Sequence, residues 1–159
     1  KTFWDDVYGV DMSCLAPNVM REPLVDIVSS NAIISTASKI LELDLTRMKP
    51  GDVEFTAEYS VKFNYDDKMH GMVAWWDSDF SYLSQKKVTL STSPYSKATH
   101  WKQTVFYTSN DFTVKKGEVL TGSIANRKSL SNFRELDIKI SFHLNGAQKW
   151  DQVNMYKLR

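Results

Sequence analysis

The sequence predicts a mainly β protein, an antiparallel β-barrel or sandwich with an N-terminal helical hairpin. Three observations predict this class: apolar residues alternate with polar ones at period two after Ala32, turn residues separate these segments, and no βαβ alternation follows. The length of 159 residues and the hydrophobic content of 42% suit a single domain, residues 1–159, with its own core.

Two short helices are predicted near the start of the chain. Apolar residues at helical spacing over residues 3–8 indicate a first helix that ends at Gly9. A second helix is predicted to begin near Ser13, which is a good N-cap, to accept Pro17 in its first turn and to end before Pro23. Both are shorter than the roughly 12–15 residues at which an isolated helix becomes marginal in water.

These helices leave an apolar surface that other residues must cover. Its members are Phe3, Trp4, Tyr8, Met12, Leu15, Val19 and Met20. Two interpretations remain open: the hairpin folds back on its own domain, or it is an arm that docks on a partner chain, where aromatic and methionine anchors are typical.

The rest of the chain is predicted to form strands. Val53 to Phe63 is the clearest, because every odd position is apolar, as in a half-buried antiparallel strand. Further strands are predicted at Ile33 to Leu45, Met69 to Phe80, Lys87 to Thr92, Trp101 to Thr108, Glu118 to Ala125, Leu136 to Leu144 and Trp150 to Leu158. Trp75 and Trp76 would then point to opposite faces of a strand. Turns are predicted at Lys49–Asp52, Lys115–Glu118 and Asn145-Gly146, the last a strong hairpin signal.

Composition excludes several classes of function. The net charge of +1 and the even spread of basic residues argue against direct binding to nucleic acid or a membrane. Cys14 is the single cysteine and no Asn-x-Ser/Thr sequon occurs, so we expect an intracellular protein. The start at Lys1 leads directly into an apolar-periodic segment without a cap, so we expect that a longer protein has been cut there.

Familiar catalytic and metal motifs are missing. The glycines do not form a glycine-rich loop of the kind that binds phosphate or a dinucleotide. His70, His100 and His143 are too far apart in sequence to indicate a metal site. Asp77 and Asp79 share one face of a predicted strand. Like charges at that spacing indicate an edge that discourages strand addition more often than a catalytic pair.

The stretch Ser93–Tyr107 carries the best candidate site. A polar loop delivers His100 and Trp101 side by side and then becomes a strand, and at such a junction both side chains can face one cleft. With Tyr95 nearby, the aromatic surface suits a cation or a guanidinium group. The pattern alone therefore favours a free-standing β-barrel module that binds a cationic peptide or a small ligand.

Several segments, in order along nearly the whole chain, closely resemble the C-terminal half of type I protein arginine methyltransferases. They are Phe3–Ser13, Glu22–Asp26, Ser91–Tyr95, Thr99–Tyr107 and Asn132–Leu136, whereas Ala147–Arg159 departs from the family pattern. The resemblance implies an upstream S-adenosylmethionine-binding domain, absent from this chain, followed by a β-barrel. It also implies that residues 3–24 are a dimerisation arm, which docks on the cofactor domain of the other subunit of a homodimer.

The resemblance further implies methyl transfer from S-adenosylmethionine to arginine guanidinium nitrogens of proteins, such as histones and Arg-Gly-rich RNA-binding proteins, in cytoplasm and nucleus. A guanidinium group stays protonated, so a carboxylate pair is needed to hold it, and in the family that pair lies in the first domain. This chain alone is therefore expected to be inactive and to bind neither cofactor nor metal. By the same resemblance His100 bonds a carboxylate and orients or deprotonates the substrate. Trp101, with Thr99 in the same motif, forms one wall of the slot that binds the substrate arginine, and Tyr95 extends that wall.

Overall fold

A computed structural model describes residues 2–80 and 86–159 of the chain; Lys1 of the predicted uncapped start lies outside them. The described strands are β1 (Leu24–Asp26), β2 (Phe55–Lys62), β3 (Asp67–Ala74), β4 (Asp77–Asp79), β5 (Thr89–Ser91), β6 (Gln103–Val114), β7 (Val119–Lys128), β8 (Leu136–Asn145) and β9 (Lys149–Leu158). They form antiparallel sheets in the orders β2-β7-β8-β9, β1-β6-β3 and β4-β5. The prediction of a mainly β, antiparallel protein is confirmed.

The two larger sheets share one hydrophobic core. Phe106 of β6 meets Tyr156 of β9 edge to face with ring centroids 5.2 Å apart, and Phe112 of β6 lies over Trp150 of β9 at 3.6 Å. The Tyr156 hydroxyl also donates to the carbonyl oxygen of Tyr107 at 2.8 Å. Within the described residues the hydrogen-bonded ladders stay separate, so these two sheets pack face to face and do not close into a barrel.

The pairing of β2 with β7 explains why a glycine lies in the middle of β7. Tyr59 is directly opposite Gly122, and its hydroxyl crosses over the glycine to donate to the carbonyl oxygen of Ser141 at 2.8 Å. A Cβ at Gly122 would lie 1.9 Å from that oxygen. Burial, and to a lesser degree Tyr156, raises the pKa of the Tyr59 phenol above its ordinary value, so Tyr59 remains a donor at physiological pH.

The hairpin predicted at Asn145-Gly146 is present between β8 and β9, but the glycine serves a different purpose. Gly146 is not among the described residues with positive φ, whereas Gly117 in the β6–β7 turn is, at 90°. The Glu118 carboxylate occupies the space beside Gly146 and accepts a hydrogen bond from the Ala147 amide at 2.6 Å. A Cβ at Gly146 would lie 2.1 Å from that carboxylate, so the glycine allows the hairpin to dock on the turn.

The first predicted helix is replaced by a turn. A 3-10 helix covers only Thr2–Asp5, and the chain then reverses so that Val7 pairs with Val10. Tyr8 and Gly9 have φ of 55° and 84°, which no right-handed helix accommodates. The helical spacing of the apolar residues therefore does not produce an α-helix here.

The second predicted helix is present but short. A 3-10 helix, Ser13–Leu15, continues into helix α1 (Ala16–Val19), with Pro17 in the first turn as predicted. Ser13 is not the N-cap, because Met12 holds that position before the 3-10 helix and Leu15 holds it before α1. Two α-helices packed as a hairpin are therefore not formed by the described residues. None of these helices is long and apolar enough to cross a membrane.

The strand predicted at residues 33–45 is wrong. Beyond one bridge between Ser35 and Phe63, this segment runs beside β2 without a ladder. Hydroxyl oxygens of this segment accept hydrogen bonds from β2 amides that a paired strand would accept through its carbonyl oxygens. The Lys62 amide donates to Thr36 Oγ1 at 3.0 Å, and the Ser60 amide donates to Ser38 Oγ at 3.4 Å. Side chains of this kind compete with regular pairing.

Two other strand predictions needed correction. The strand predicted over Met69 to Phe80 is split into β3 and β4, so Trp75 and Trp76 lie between strands and not on opposite faces of one. The strand predicted at Trp101–Thr108 begins at Gln103 and runs on to Val114, and β1 was not predicted at all. The late start of β6 leaves His100 and Trp101 outside the ladder.

Candidate functional site

Residues 93–102, called here the His–Trp loop, connect β5 to β6, and the buried side chain of Gln103 closes the loop at its base. Nε2 of Gln103 donates to the carbonyl oxygen of Thr92 at 2.6 Å, and Oε1 of Gln103 accepts from the Val28 amide at 2.8 Å. Both Gln103 and Thr92 are buried. One side chain therefore joins the two ends of the loop to each other and to the segment that follows β1.

A tight turn places the two candidate residues at the tip of this loop. The Lys102 amide donates to the carbonyl oxygen of Thr99 at 3.1 Å, which leaves His100 and Trp101 as the central pair of the turn. Lys102 then adopts φ of 55°, a left-handed conformation that is uncommon outside glycine. Because the backbone does not alternate here, the imidazole and the indole lie side by side, with ring centroids 3.9 Å apart.

Three aromatic rings lie in a row at the loop. The rings of His100 and Trp101 are 3.9 Å apart with a tilt of 33°, and Trp101 meets Trp76 edge to face at 5.4 Å. The exposed fractions of Trp101 and Trp76 are 47% and 43%, so the rings form a surface ledge. Such a ledge can bind a flat cation over its faces.

An ion pair holds the end of the loop against the neighbouring strand. Lys102 Nζ lies 3.1 Å from Oδ1 of Asp26 in β1. The Ile27 amide first, and the Lys102 ammonium second, hold the pKa of the Asp26 carboxyl below its usual range. The carboxylate is therefore charged at neutral pH and pairs with the ammonium group of Lys102, the residue that ends the loop.

The other two predicted loop residues occupy different positions. Thr99 supplies the carbonyl oxygen of the turn, and its hydroxyl is buried without a hydrogen-bond partner among the described residues. Tyr95 is exposed, its amide donates to Ser93 Oγ at 3.2 Å, and the aromatic contacts described at the loop do not include its ring. The structure thus brings His100 and Trp101 together with Trp76 and leaves Tyr95 apart.

The carboxylates beside the loop are bonded to neighbouring side chains, as Asp26 is to Lys102. Asp77 and Asp79 are exposed on the short strand β4, where Asp77 accepts a hydrogen bond from Ser91 Oγ at 2.5 Å. Across the described ranges, no group of three or more histidine, cysteine, aspartate or glutamate side chains is placed to hold a metal ion. The described carboxylates of Asp26 and Asp77 are paired with Lys102 and Ser91, and the loop with Trp76 presents aromatic faces and an imidazole.

The predicted arm residues form a second, separate surface. Phe3, Tyr8, Leu15 and Val19 are exposed, whereas Trp4, Met12 and Met20 are half-buried. None of the seven belongs to the shared core or packs on it. The arm is joined to the domain through polar contacts, with Lys157 donating from its amide to the carbonyl oxygen of Arg21 at 3.1 Å and Arg159 pairing with Glu22.

Trp76 is the member of the aromatic row that sequence reasoning missed. Its backbone is tied to Thr92 by three hydrogen bonds, in which Thr92 Oγ1 both accepts from the Trp76 amide and donates to its carbonyl oxygen. The signal that could have found it is the pair of successive tryptophans, Trp75 and Trp76. Successive side chains point to opposite faces only within a regular strand, and where the strand is interrupted they need not do so.

Comparison with known families gives a match along most of the chain. Residues 2–148 match the family described as the arginine methyltransferase oligomerization subdomain. The match ends at Gln148, within the segment 147–159 that we expected to depart from the family pattern.

Similar curated proteins are longer than this chain. It is 41% identical over 158 residues to the probable protein arginine N-methyltransferase 1.2 of Arabidopsis thaliana, which covers 99% of the chain and 43% of the relative. It is 45% identical over 143 residues to protein arginine N-methyltransferase 1 of Schizosaccharomyces pombe, which covers 90% of the chain and 42% of the relative. The chain thus spans less than half the length of either relative.

Solved structures show the same fold. A chain of the Trypanosoma brucei PRMT1 enzyme–prozyme heterotetrameric complex with AdoHcy superposes with a TM-score of 0.92 at 31% identity, covering 99% of this chain and 50% of that one. Arabidopsis thaliana protein arginine methyltransferase 10 gives a TM-score of 0.82 at 23% identity, covering 96% and 49%.

Proposed function

The chain belongs to the arginine methyltransferase family through its oligomerization subdomain, and we propose that it is the C-terminal part of an enzyme that methylates arginine in proteins. In this proposal a preceding domain binds S-adenosylmethionine, and methyl groups pass from it to guanidinium nitrogens. The observation that carries the proposal is the His100–Trp101 turn, an exposed imidazole and indole held in contact on a family-matched fold.

The chemistry of the substrate explains which groups this chain and the preceding domain would each supply. A guanidinium group is planar and stays charged, so it is recognised by carboxylates in its plane and by aromatic rings on its faces. S-adenosylmethionine, when bound, supplies an electrophilic methyl group. The ledge formed by the His–Trp loop and Trp76 supplies the aromatic faces, and we assign the carboxylates to the preceding domain.

Two residues of the loop have distinct roles in this mechanism. His100 is placed at the tip of the turn, where its imidazole is exposed and can bond a carboxylate of the preceding domain or take a proton from the substrate nitrogen. Trp101 lies beside it and limits the width of the arginine slot. Thr99 shapes the turn, and Tyr95 borders the slot only if the preceding domain covers this side of the loop.

We also propose that residues 3–24 dock on a second copy of the protein and make a homodimer. The exposed aromatic and aliphatic side chains of the arm are typical anchors of an interface, and the matched family is named for oligomerization. The solved Trypanosoma brucei relative is itself described as an enzyme–prozyme heterotetramer. We place the enzyme in the cytoplasm and nucleus, where Arg-Gly-rich proteins and histones would be its substrates.

A binding module without catalytic activity is the second candidate function. It is favoured by the exposed aromatic ledge, which would hold a cationic peptide without any chemistry. The two functions differ in whether the ledge needs a neighbouring domain.

One experiment separates them. Methyl transfer from labelled S-adenosylmethionine to an Arg-Gly-rich peptide is measured for this chain alone and for the complete enzyme, which is this chain joined to the cofactor-binding domain of the same gene. We expect no transfer by the chain and transfer by the complete enzyme. An inactive complete enzyme, together with tight peptide binding by the chain alone, would establish the binding module instead.

A further inference from the structure

We propose that Trp76 is a positioning residue of the arginine site, which holds the indole of Trp101 in place through the edge-to-face contact between the two rings. This inference rests on the proposed function, because it concerns the width of the slot that Trp101 borders. Trp76 acts through Trp101 and is not itself assigned a contact with the reacting atoms.

The geometry of the ring pair is the first observation. The centroids are 5.4 Å apart and the planes are inclined at 72°, which is the T-shaped arrangement that aromatic pairs prefer. His100 lies on Trp101 at 3.9 Å. The Trp101 indole thus contacts two rings, and loss of either contact would leave it freer to turn about its side-chain torsions.

The attachment of Trp76 is the second observation. Three hydrogen bonds tie its backbone to Thr92: the Trp76 amide donates to Thr92 Oγ1 at 3.0 Å, and the Trp76 carbonyl accepts from Thr92 Oγ1 at 2.8 Å and from the Thr92 amide at 3.0 Å. Thr92 in turn is bonded to Gln103, which begins β6. Trp76 and Trp101 are therefore linked through the hydrogen-bonded base of the loop as well as through their rings.

Ordinary core packing does not explain the position of Trp76. Its side chain is 43% exposed, and it belongs neither to the shared core nor to the half-buried residues packed on it. An exposed indole whose described ring contact is another exposed indole adds little to the core. The contact instead sets the orientation of a surface ring, which is what a binding slot requires.

The test uses the complete enzyme with Trp76 replaced by Phe, which keeps a ring edge, or by Leu, which keeps an apolar side chain without one. Tyr65→Leu is the matched control, because Tyr65 is an exposed aromatic residue in the β2–β3 turn. The readout is the ratio of kcat/KM for an arginine peptide to that for the same peptide with monomethylarginine. A loss of folded enzyme lowers both values equally and leaves the ratio unchanged.

We expect Trp76→Leu to change this ratio by about threefold to tenfold, the equivalent of one lost aromatic pair, because a displaced Trp101 widens the slot. Trp76→Phe is expected to restore most of the wild-type ratio, and Tyr65→Leu to leave it unchanged. Equal ratios in wild type and Trp76→Leu would overturn the proposal, as would a Phe variant no better than Leu.

A second measurement separates this inference from the proposed function. The complete enzyme is labelled with fluorotryptophan, and the fluorine NMR signal of Trp101 is assigned from its loss in Trp101→Phe. We expect this signal to shift and broaden in Trp76→Leu, and an unchanged signal overturns the positioning role. If the wild-type enzyme transfers no methyl group, the proposed function fails, whereas the Trp101 signal still decides whether Trp76 holds the ring.

Discussion

The side chain of Gln103 joins the two ends of the loop that carries His100 and Trp101, because its Nε2 donates to the carbonyl oxygen of Thr92 at 2.6 Å. The same side chain accepts a hydrogen bond from the Val28 amide at 2.8 Å and is only 3% exposed. A single buried amide thus links the loop, the start of β6 and the segment that follows the arm.

Replacing Gln103 by Leu should destabilise the protein and disorder the His–Trp loop. The change leaves a buried carbonyl oxygen and a half-buried amide unpaired, at a cost of about 2–3 kcal/mol in the free energy of unfolding. Urea unfolding measures this cost. Gln148→Leu, at an exposed glutamine in the β8–β9 hairpin, should stay within about 0.5 kcal/mol of wild type, and equal effects of the two changes would contradict the anchoring role.

Gly122→Ala should be among the most destabilising single changes in the sheet. The new Cβ would lie 1.9 Å from the carbonyl oxygen of Ser141 and 2.8 Å from the Tyr59 hydroxyl, so β7 and β8 must separate. We expect a loss of about 3 kcal/mol, at the upper end for overpacking. Gly51→Ala is the control: with no atom within 4 Å of its new Cβ, it should be neutral or slightly stabilising, and a similar loss there would refute the steric explanation.

Asp26→Asn should lower the melting temperature at neutral pH but not in strong acid. The Ile27 amide and Lys102 depress the folded-state pKa of Asp26, so its contribution is complete above the unfolded value of about 3.9 and is lost as pH falls through the folded pKa. Calorimetry of both proteins between neutral pH and strong acid measures the difference.

Lys102→Asn provides the control for the same ion pair, because asparagine tolerates the left-handed backbone at this position. The two single changes should have similar effects, and the double variant should be little worse than either. Fully additive effects would show that the two side chains do not act as a pair.

His100→Ala in the complete enzyme should lower kcat by about a hundredfold, within the range for loss of a general acid or base, with a modest loss of cofactor binding. The measurement is steady-state methyl transfer with titration of S-adenosylmethionine. His70→Ala, at an exposed histidine on β3, should retain wild-type rates. Wild-type turnover in His100→Ala would remove the catalytic role from this residue.

Changing the arm should shift the complete enzyme from dimer to monomer. Phe3 is 68% exposed and Tyr8 is fully exposed at a left-handed position, so Phe3→Ser with Tyr8→Asn removes two anchors while preserving the backbone. Loss of about 2 kcal/mol at an interface anchor raises the dissociation constant about thirtyfold, which sedimentation velocity detects. Leu130→Ser, at another exposed apolar residue, should leave the dimer intact; a persistent dimer in the arm variant would exclude arm docking.

The strands with a strict apolar alternation were predictable from sequence, and the irregular segments were not. The odd positions of β2 face the core as predicted. On a half-buried strand successive side chains point to opposite faces, so the apolar set can be buried in only one way. Residues 33–45 were assigned wrongly because serine and threonine hydroxyls replace ladder bonds there, and no local pattern reveals which partner they find. The first helix was predicted wrongly for a similar reason, since tyrosine does not by itself favour the positive φ that Tyr8 adopts.

The sequence by itself determined the antiparallel β class, the position of the His100–Trp101 junction and the resemblance to arginine methyltransferases, because alternation, turn residues and motifs are local. Tertiary structure alone decided that Trp76 lies against Trp101, that Gln103 closes the loop and that Asp26 pairs with Lys102. These partners are separated along the chain and meet only when β1, the β3–β4 connection and the β5–β6 connection are brought together. Contacts of that kind depend on how sheets pack, and packing is a property of the whole fold.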